Sequence, residues 1–218
     1  MKKTPKNFYT SLGALALFAL WTAAVSRIDV QPIGPNGSTV GFAALNGFVH
    51  SLTGVHWSLY VITDWLGLIP VCVMLSFALL GLTQWIRRKR LFRVDRSILA
   101  LGGFYLAVLA AYLFFEQYVV NYRPVLVNGC LEASYPSSTT LLALTVMPTA
   151  WMQLRIHIKH PVLNQGLSLA ITVFMAFMVI GRLISGVHWI TDIIGGTLLS
   201  IGLVSLYASA AGLEQTGH

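Results

Sequence analysis

Six apolar stretches dominate this chain, each long enough to cross a bilayer. They run over about 8–26, 58–85, 97–119, 137–154, 162–181 and 189–210. Backbone placed in hydrocarbon must satisfy its own hydrogen bonds, so such stretches are read as helices. The predicted fold class is all-α: a six-helix transmembrane bundle forming one integral membrane domain over 1–218. Composition agrees, because 56% of residues are hydrophobic and only 10% are charged, against roughly 25% charged in a soluble domain.

The connections alternate in charge. Lys2, Lys3 and Lys6 precede the first span; Arg87, Arg88, Lys89, Arg90, Arg93 and Arg96 follow the second; Arg155 and Lys159 follow the fourth. These are 11 of the 14 basic residues, all on one side. The positive-inside rule makes that side the cytoplasm and puts both termini there. The net charge of +7 therefore reads as topology signals and contacts with anionic membrane lipids, not as a nucleic-acid surface. The first apolar run imitates a signal peptide, but its length and the spans that follow make it a retained anchor. Cys72 falls in an apolar segment and Cys130 in a polar loop. No disulfide is expected, and no Cys/His spacing suggests zinc.

Arg27, Arg123 and Arg182 break the charge rule, because they lie at the opposite face. They either snorkel to the interface and pair with lone acids, or form an anion site facing outward. Three polar pieces gather at that face. Glu116 to Pro124 (EQYVVNYRP) ends the third span, Ser134 to Thr140 (SYPSSTT) opens the fourth, and Gly181 to Asp192 (GRLISGVHWITD) joins the fifth to the sixth. In the second piece, hydroxyl residues after Pro136 suit a helix N-cap, and a helix N-terminus attracts phosphate. In the third, Ser185-Gly186 permits a tight turn. His188 and Asp192 are four apart, so on one helix they share a face. A carboxylate bonded to one imidazole nitrogen fixes the tautomer and leaves the other nitrogen free to attack.

Asp64, near the outer end of the second span, is expected to face the bundle interior. There it either fixes helix packing or neutralises an arginine. In the loop from Ser26 to Trp57, the stretch from Val40 to Val49 reads as a short interfacial helix over the outer mouth. Gly54-Val55-His56-Trp57 repeats Gly186-Val187-His188-Trp189, but it lacks the arginine and the aspartate and reads as coincidence.

The combination resembles the type 2 phosphatidic acid phosphatase family of membrane lipid phosphatases. That family's signature is Lys-x6-Arg-Pro, then Pro-Ser-Gly-His, then Ser-Arg-x5-His-x3-Asp. Here Arg123-Pro124 matches the first part, Pro136-Ser137 the second, and Arg182, His188 and Asp192 the third. The resemblance implies that His188 is the nucleophile and forms a phosphohistidine, oriented by Asp192. It implies that Arg123 and Arg182 hold phosphate oxygens. Ser137, with the neighbouring Ser138 and Thr139 and their backbone N–H groups, completes the cradle. No metal and no cofactor are implied; the partners are membrane lipids and a lipid phosphate or diphosphate substrate. Nothing in the sequence sets an oligomeric state.

The departures are chemical. Glu116 stands at the family's lysine, Thr139 at its second histidine, Ser138 at its glycine, and Gly181 at the serine before Arg182. Threonine is no general acid at neutral pH, and general acid–base catalysis is worth about 10²–10⁴-fold. A leaving group stable as an anion tolerates that loss best. Polyprenyl diphosphate is therefore expected to be favoured over phosphatidic acid. Glu116 either pairs with Arg123 or relays a proton, and Thr140, Tyr118, Tyr122 or Glu132 offers compensation for the substitutions. Two other readings stay open: a member that binds or moves phospholipid headgroups without turnover, and a lipid phosphotransferase.

Overall fold

The structure is a computed structural model, and it describes residues 6–156 and 158–211. Lys2 and Lys3 of the first basic group, and both chain ends, lie outside the described residues. The order is α1 Lys6–Val25, α2 Ala43–Thr53, α3 Trp57–Leu66, α4 Leu68–Arg88, α5 Arg96–Gln117, α6 Ser138–Leu154, α7 Pro161–Ile184 and α8 Ile190–Ala210. Among the described residues no strand forms, only three isolated antiparallel bridges in the connections. The all-helical expectation holds.

The six-span expectation is met only in part. Five helical stretches are long and apolar enough to cross a membrane: Lys6–Val25, Trp57–Arg88, Arg96–Gln117, Pro161–Ile184 and Ile190–Ala210. The predicted span at 137–154 forms α6, of 17 residues, about 26 Å at the helical rise per residue. That is short of a hydrocarbon core of about 30 Å. The chain is a multi-pass membrane protein, and its outer faces fit lipid: Leu20, Leu75, Leu79, Leu106, Leu113 and Val173 are all exposed.

The second predicted span, 58–85, is broken at Gly67 into α3 and α4. Pro70 explains the break, because its ring and missing N–H disrupt the turn four residues before it. Gly67 closes α3 by donating to the carbonyls of Thr63 and Asp64, both at 3.0 Å. The short α3 then lies against α7. The predicted interfacial helix is α2, displaced a few residues towards the C-terminus.

Packing centres on α6 and α8. α6 touches α4, α5, α7 and α8, and α1 runs along α8. Gly202 permits that last contact: a Cβ there would lie 2.6 Å from Leu15. Small residues let helices approach in just this way where no hydrophobic force drives them together. Phe18, Leu101, Phe104, Val108, Tyr135, Leu141 and Leu199 form the buried apolar cluster.

Candidate active site

All three polar pieces lie at the end of the helices opposite the Arg87–Arg96 turn, because α5 runs from that turn to the site and α6 runs back. His188 sits in the connection between α7 and α8 and is 3% exposed. Its Nδ1 faces Asp192 Oδ2 at 3.6 Å, longer than a hydrogen bond. Its Nε2 lies 3.3 Å from Arg123 Nη1. A guanidinium only donates, so Nε2 accepts, and the ring proton belongs on Nδ1 towards Asp192.

The expectation that His188 and Asp192 share a helical face needs correction. α8 begins at Ile190, so His188 precedes the helix and Trp189 is its N-cap. Asp192 is the third residue of a capping box; its Oδ2 accepts the Trp189 N–H at 2.9 Å. One carboxylate thus closes the helix and faces the imidazole. Gly186 makes the preceding turn at φ +69°, and any Cβ there would strike the Gly54 carbonyl. Gly186→Ala is expected to destabilise the protein by about 1–3 kcal/mol, typical of strain at such a position. Thermal unfolding in detergent measures this.

The two GVHW fragments meet in space. The His56 N–H donates to the Ser185 carbonyl at 3.0 Å. The repeat thus falls at one contact between two loops, while His56 itself is exposed.

Each arginine has its own acid. Arg182, 2% exposed, donates to Asp64 Oδ1 at 2.9 Å and to Thr139 Oγ1. Its guanidinium lies 5.0 Å from the Tyr60 ring centroid. Asp64 pairs with Arg182, as one of the two readings allowed, but its side chain is exposed and does not face the bundle interior as expected. Arg123 Nε lies 3.0 Å from Glu132 Oε2. The Arg123–Glu116 pairing is overturned, because Arg123 also donates its backbone N–H to the Glu132 carbonyl at 3.0 Å, which holds the two together. Arg27 is exposed.

The cradle contains buried polar atoms with no hydrogen-bond partner: Arg182 Nε and Nη1, Ser137 Oγ and Thr140 Oγ1. Ser137 occupies the N-cap of α6 without making the side-chain cap bond. Buried donors are normally paired, so these atoms are left with unused hydrogen-bonding capacity. Ser138, Ser134, Glu116 and His188 share a narrow cleft beside it, also lined by Tyr112, Phe115 and Tyr135. Thr139 is engaged by Arg182. Tyr118 is exposed, while Tyr122 contributes its carbonyl to Trp189 Nε1 at 2.7 Å.

Sequence reasoning missed Asn46 and Asn121. Asn46 is fully buried; it donates to Gly41 O at 2.7 Å and to Thr191 Oγ1 at 3.0 Å. Asn121 Nδ2 lies 3.4 Å from Asp192 Oδ1, while its Oδ1 accepts the Gly41 N–H at 3.3 Å. Together they tie α2 and the hairpin after α5 to the start of α8. A buried asparagine needs partners, but the sequence does not say which.

Burial holds the His188 imidazole well below its ordinary pKa, Arg123 and Arg182 push the same way, and the Ser134 backbone opposes them. The ring is therefore neutral in the fold at neutral pH. Below the ordinary value of about 6.5 the unfolded chain takes up a proton that the folded chain does not, so stability falls as pH falls. Tm is expected to decline through that range, and His188→Gln to remove part of the decline.

At one end of a multi-pass helical protein, a buried imidazole thus faces a buried carboxylate and the Arg123 guanidinium. The family profile of the PAP2 superfamily matches residues 114–213, which hold all three polar pieces. The crystal structure of a transmembrane PAP2 type phosphatidylglycerolphosphate phosphatase from Bacillus subtilis is similar in fold. Its TM-score is 0.55 at 19% identity, over 96% of this chain and 100% of that one. No curated protein matches. The match over residues 114–213 supports assignment to the type 2 phosphatidic acid phosphatase family.

Proposed function

We propose that this protein is a membrane-embedded lipid phosphate or diphosphate phosphohydrolase that works through a phosphohistidine at His188. One observation carries the reading: His188, Arg123 and Arg182 gather around buried polar atoms that lack partners. Phosphate oxygens would take the free Arg182 donors, Ser137 Oγ and the N-terminus of α6. Arg123 would turn from His188 Nε2 to a phosphate oxygen, freeing the nitrogen for attack. Nε2 then bonds to phosphorus, the bond to the leaving oxygen breaks, and the Nδ1 proton stays towards Asp192, which stabilises the charged ring. Water attacks the phosphohistidine in the second step and releases inorganic phosphate.

Polyprenyl diphosphate is the favoured substrate because Thr139 offers no acid to protonate an alcohol. A lipid monophosphate leaves more readily, since its last ionisation lies near a pKa of about 6. A groove of about 390 Å³ supports sideways entry of the tail. Asp64, Ser138 and Thr139 line one end of it, and Val71, Met74 and Leu109 line the rest. The topology follows from the charge distribution: six helices including α6, both termini cytoplasmic, and the site towards the periplasm or cell exterior. The test compares phosphate release by purified protein in detergent from a polyprenyl diphosphate and from phosphatidic acid. The diphosphate is expected to turn over faster. Faster turnover of the monoester would reject the preference, and rates equal to those of His188→Ala on both substrates would leave a headgroup-binding protein.

A further inference from the structure

The turn between α4 and α5 carries six basic residues, Arg87, Arg88, Lys89, Arg90, Arg93 and Arg96, and one acid, Asp95. Asp95 accepts from Arg88 Nη1 and from Gln84 Nε2, both at 2.8 Å, and its own N–H donates to Gln84 Oε1 at 3.0 Å. These bonds fix the turn. Arg87, Lys89, Arg90, Arg93 and Arg96 all stay exposed, and so does Phe92, at 93%. Beneath the turn, α4 and α5 part around a groove of about 590 Å³, lined by Phe77, Trp85, Leu91, Val94, Ile98 and Leu106. That volume is within the range of about 300–1,000 Å³ typical of ligand sites. Leu91 follows Arg90 in the chain and Val94 follows Arg93, so the basic turn forms the rim of the groove. Gly102 and Gly103, inside α5, also line it, and a Cβ at either would meet nothing within 4 Å. Glycine inside a helix is destabilising relative to alanine, yet no neighbouring atom of the described residues requires these two.

We propose that this groove and its basic rim bind one anionic phospholipid of the adjoining leaflet, with an acyl chain in the groove and the phosphate on Arg90 and Arg93. The site lies at the end of the helices opposite His188, and the proposal is independent of the hydrolase reading. Basic pockets between membrane helices suit anionic headgroups. The paired glycines keep open a space that side chains would close. Trp85, half exposed, and Phe92 supply the aromatic rings that favour the membrane interface.

Two other occupants fit less well. A closed dimer uses the same patch on both copies. Copies of one orientation in a membrane carry this turn at the same face, so joining them groove to groove would bring both basic turns together, and like charges repel. The substrate tail is the other candidate, because the groove beside Asp64 and Thr139 shares Met74, Tyr105 and Leu109 with this one. A tail arriving from that side would reach the rim with nothing for the arginines to hold. An anionic phospholipid satisfies the charge and the apolar space at once.

The test titrates the delipidated full chain in non-ionic detergent with phosphatidylglycerol and with phosphatidylcholine, each brominated in its tails, and reads the quenching of tryptophan fluorescence. Each Lys or Arg near an anionic headgroup is worth about fivefold in affinity. Wild type is therefore expected to saturate with phosphatidylglycerol at least about 25-fold more tightly than with phosphatidylcholine. Arg90→Gln together with Arg93→Gln is expected to lose most of that preference; both side chains are exposed, so the variant should fold. Gly103→Leu fills the groove and is expected to lose saturable quenching by either lipid while the rim stays intact. Leucine is the better helix former, and thermal unfolding without lipid checks that this variant is folded. Equal affinity for the two lipids, a preference undiminished in the arginine pair, or saturable quenching that survives Gly103→Leu overturns the site. Dimerisation that Gly103→Leu abolishes, without any lipid preference, gives the groove to a second copy instead. Displacement of the bound lipid by farnesyl diphosphate gives it to the substrate tail.

Discussion

Phosphate release from a lipid diphosphate is expected to fall by about 10⁴-fold or more when His188 becomes alanine, the scale seen when a nucleophile acting within a catalytic unit is removed. The loss should appear in kcat, because the cradle of Arg182, Ser137 and the α6 N-terminus would still hold substrate. The variant should fold, since His188 ends in a connection and the capping bond from Trp189 N–H to Asp192 is independent of it. A ³²P-labelled substrate offers a second readout: acid-labile, base-stable label on wild type and none on His188→Ala. Label retained by the variant would move the nucleophile elsewhere.

Arg182→Lys is the second large effect. The Arg182 side chain is buried and divides its donors: one terminal nitrogen serves Asp64 and Thr139, while Nε and Nη1 have no partner. An ammonium is a compact point charge without that planar fork. It can keep Asp64 or reach the phosphate, but not both in the same geometry. Removing one preorganised oxyanion donor costs about 10²–10³ in kcat, and a similar loss is expected here although the charge is conserved. A variant with near wild-type kcat and only a raised KM would make Arg182 a ground-state contact.

The spans were legible because length and hydropathy alone determine them. The α5, α7 and α8 boundaries lie within a few residues of the predicted ones. The break at Gly67 is not legible in the sequence, because a proline such as Pro70 is tolerated near a helix start and nothing local announces a new one. Arg123, Arg182, His188 and Asp192 were legible as charges in costly positions. Their carboxylate partners were less so. Glu116 and Glu132 were both near enough in sequence to reach Arg123, and the choice was made by the backbone pairing of Arg123 with Glu132. Asn46 lies 145 residues from Thr191, and no periodicity links them. Its role exists only once α2 folds back over the start of α8.

That asparagine has a further consequence for access. α2 cannot swing away like a flap without breaking the Asn46 bonds that seat Thr191 next to Asp192. On the proposed function, a lipid would then reach the site between helices, along the groove beside Asp64 and Thr139, and not from beneath α2.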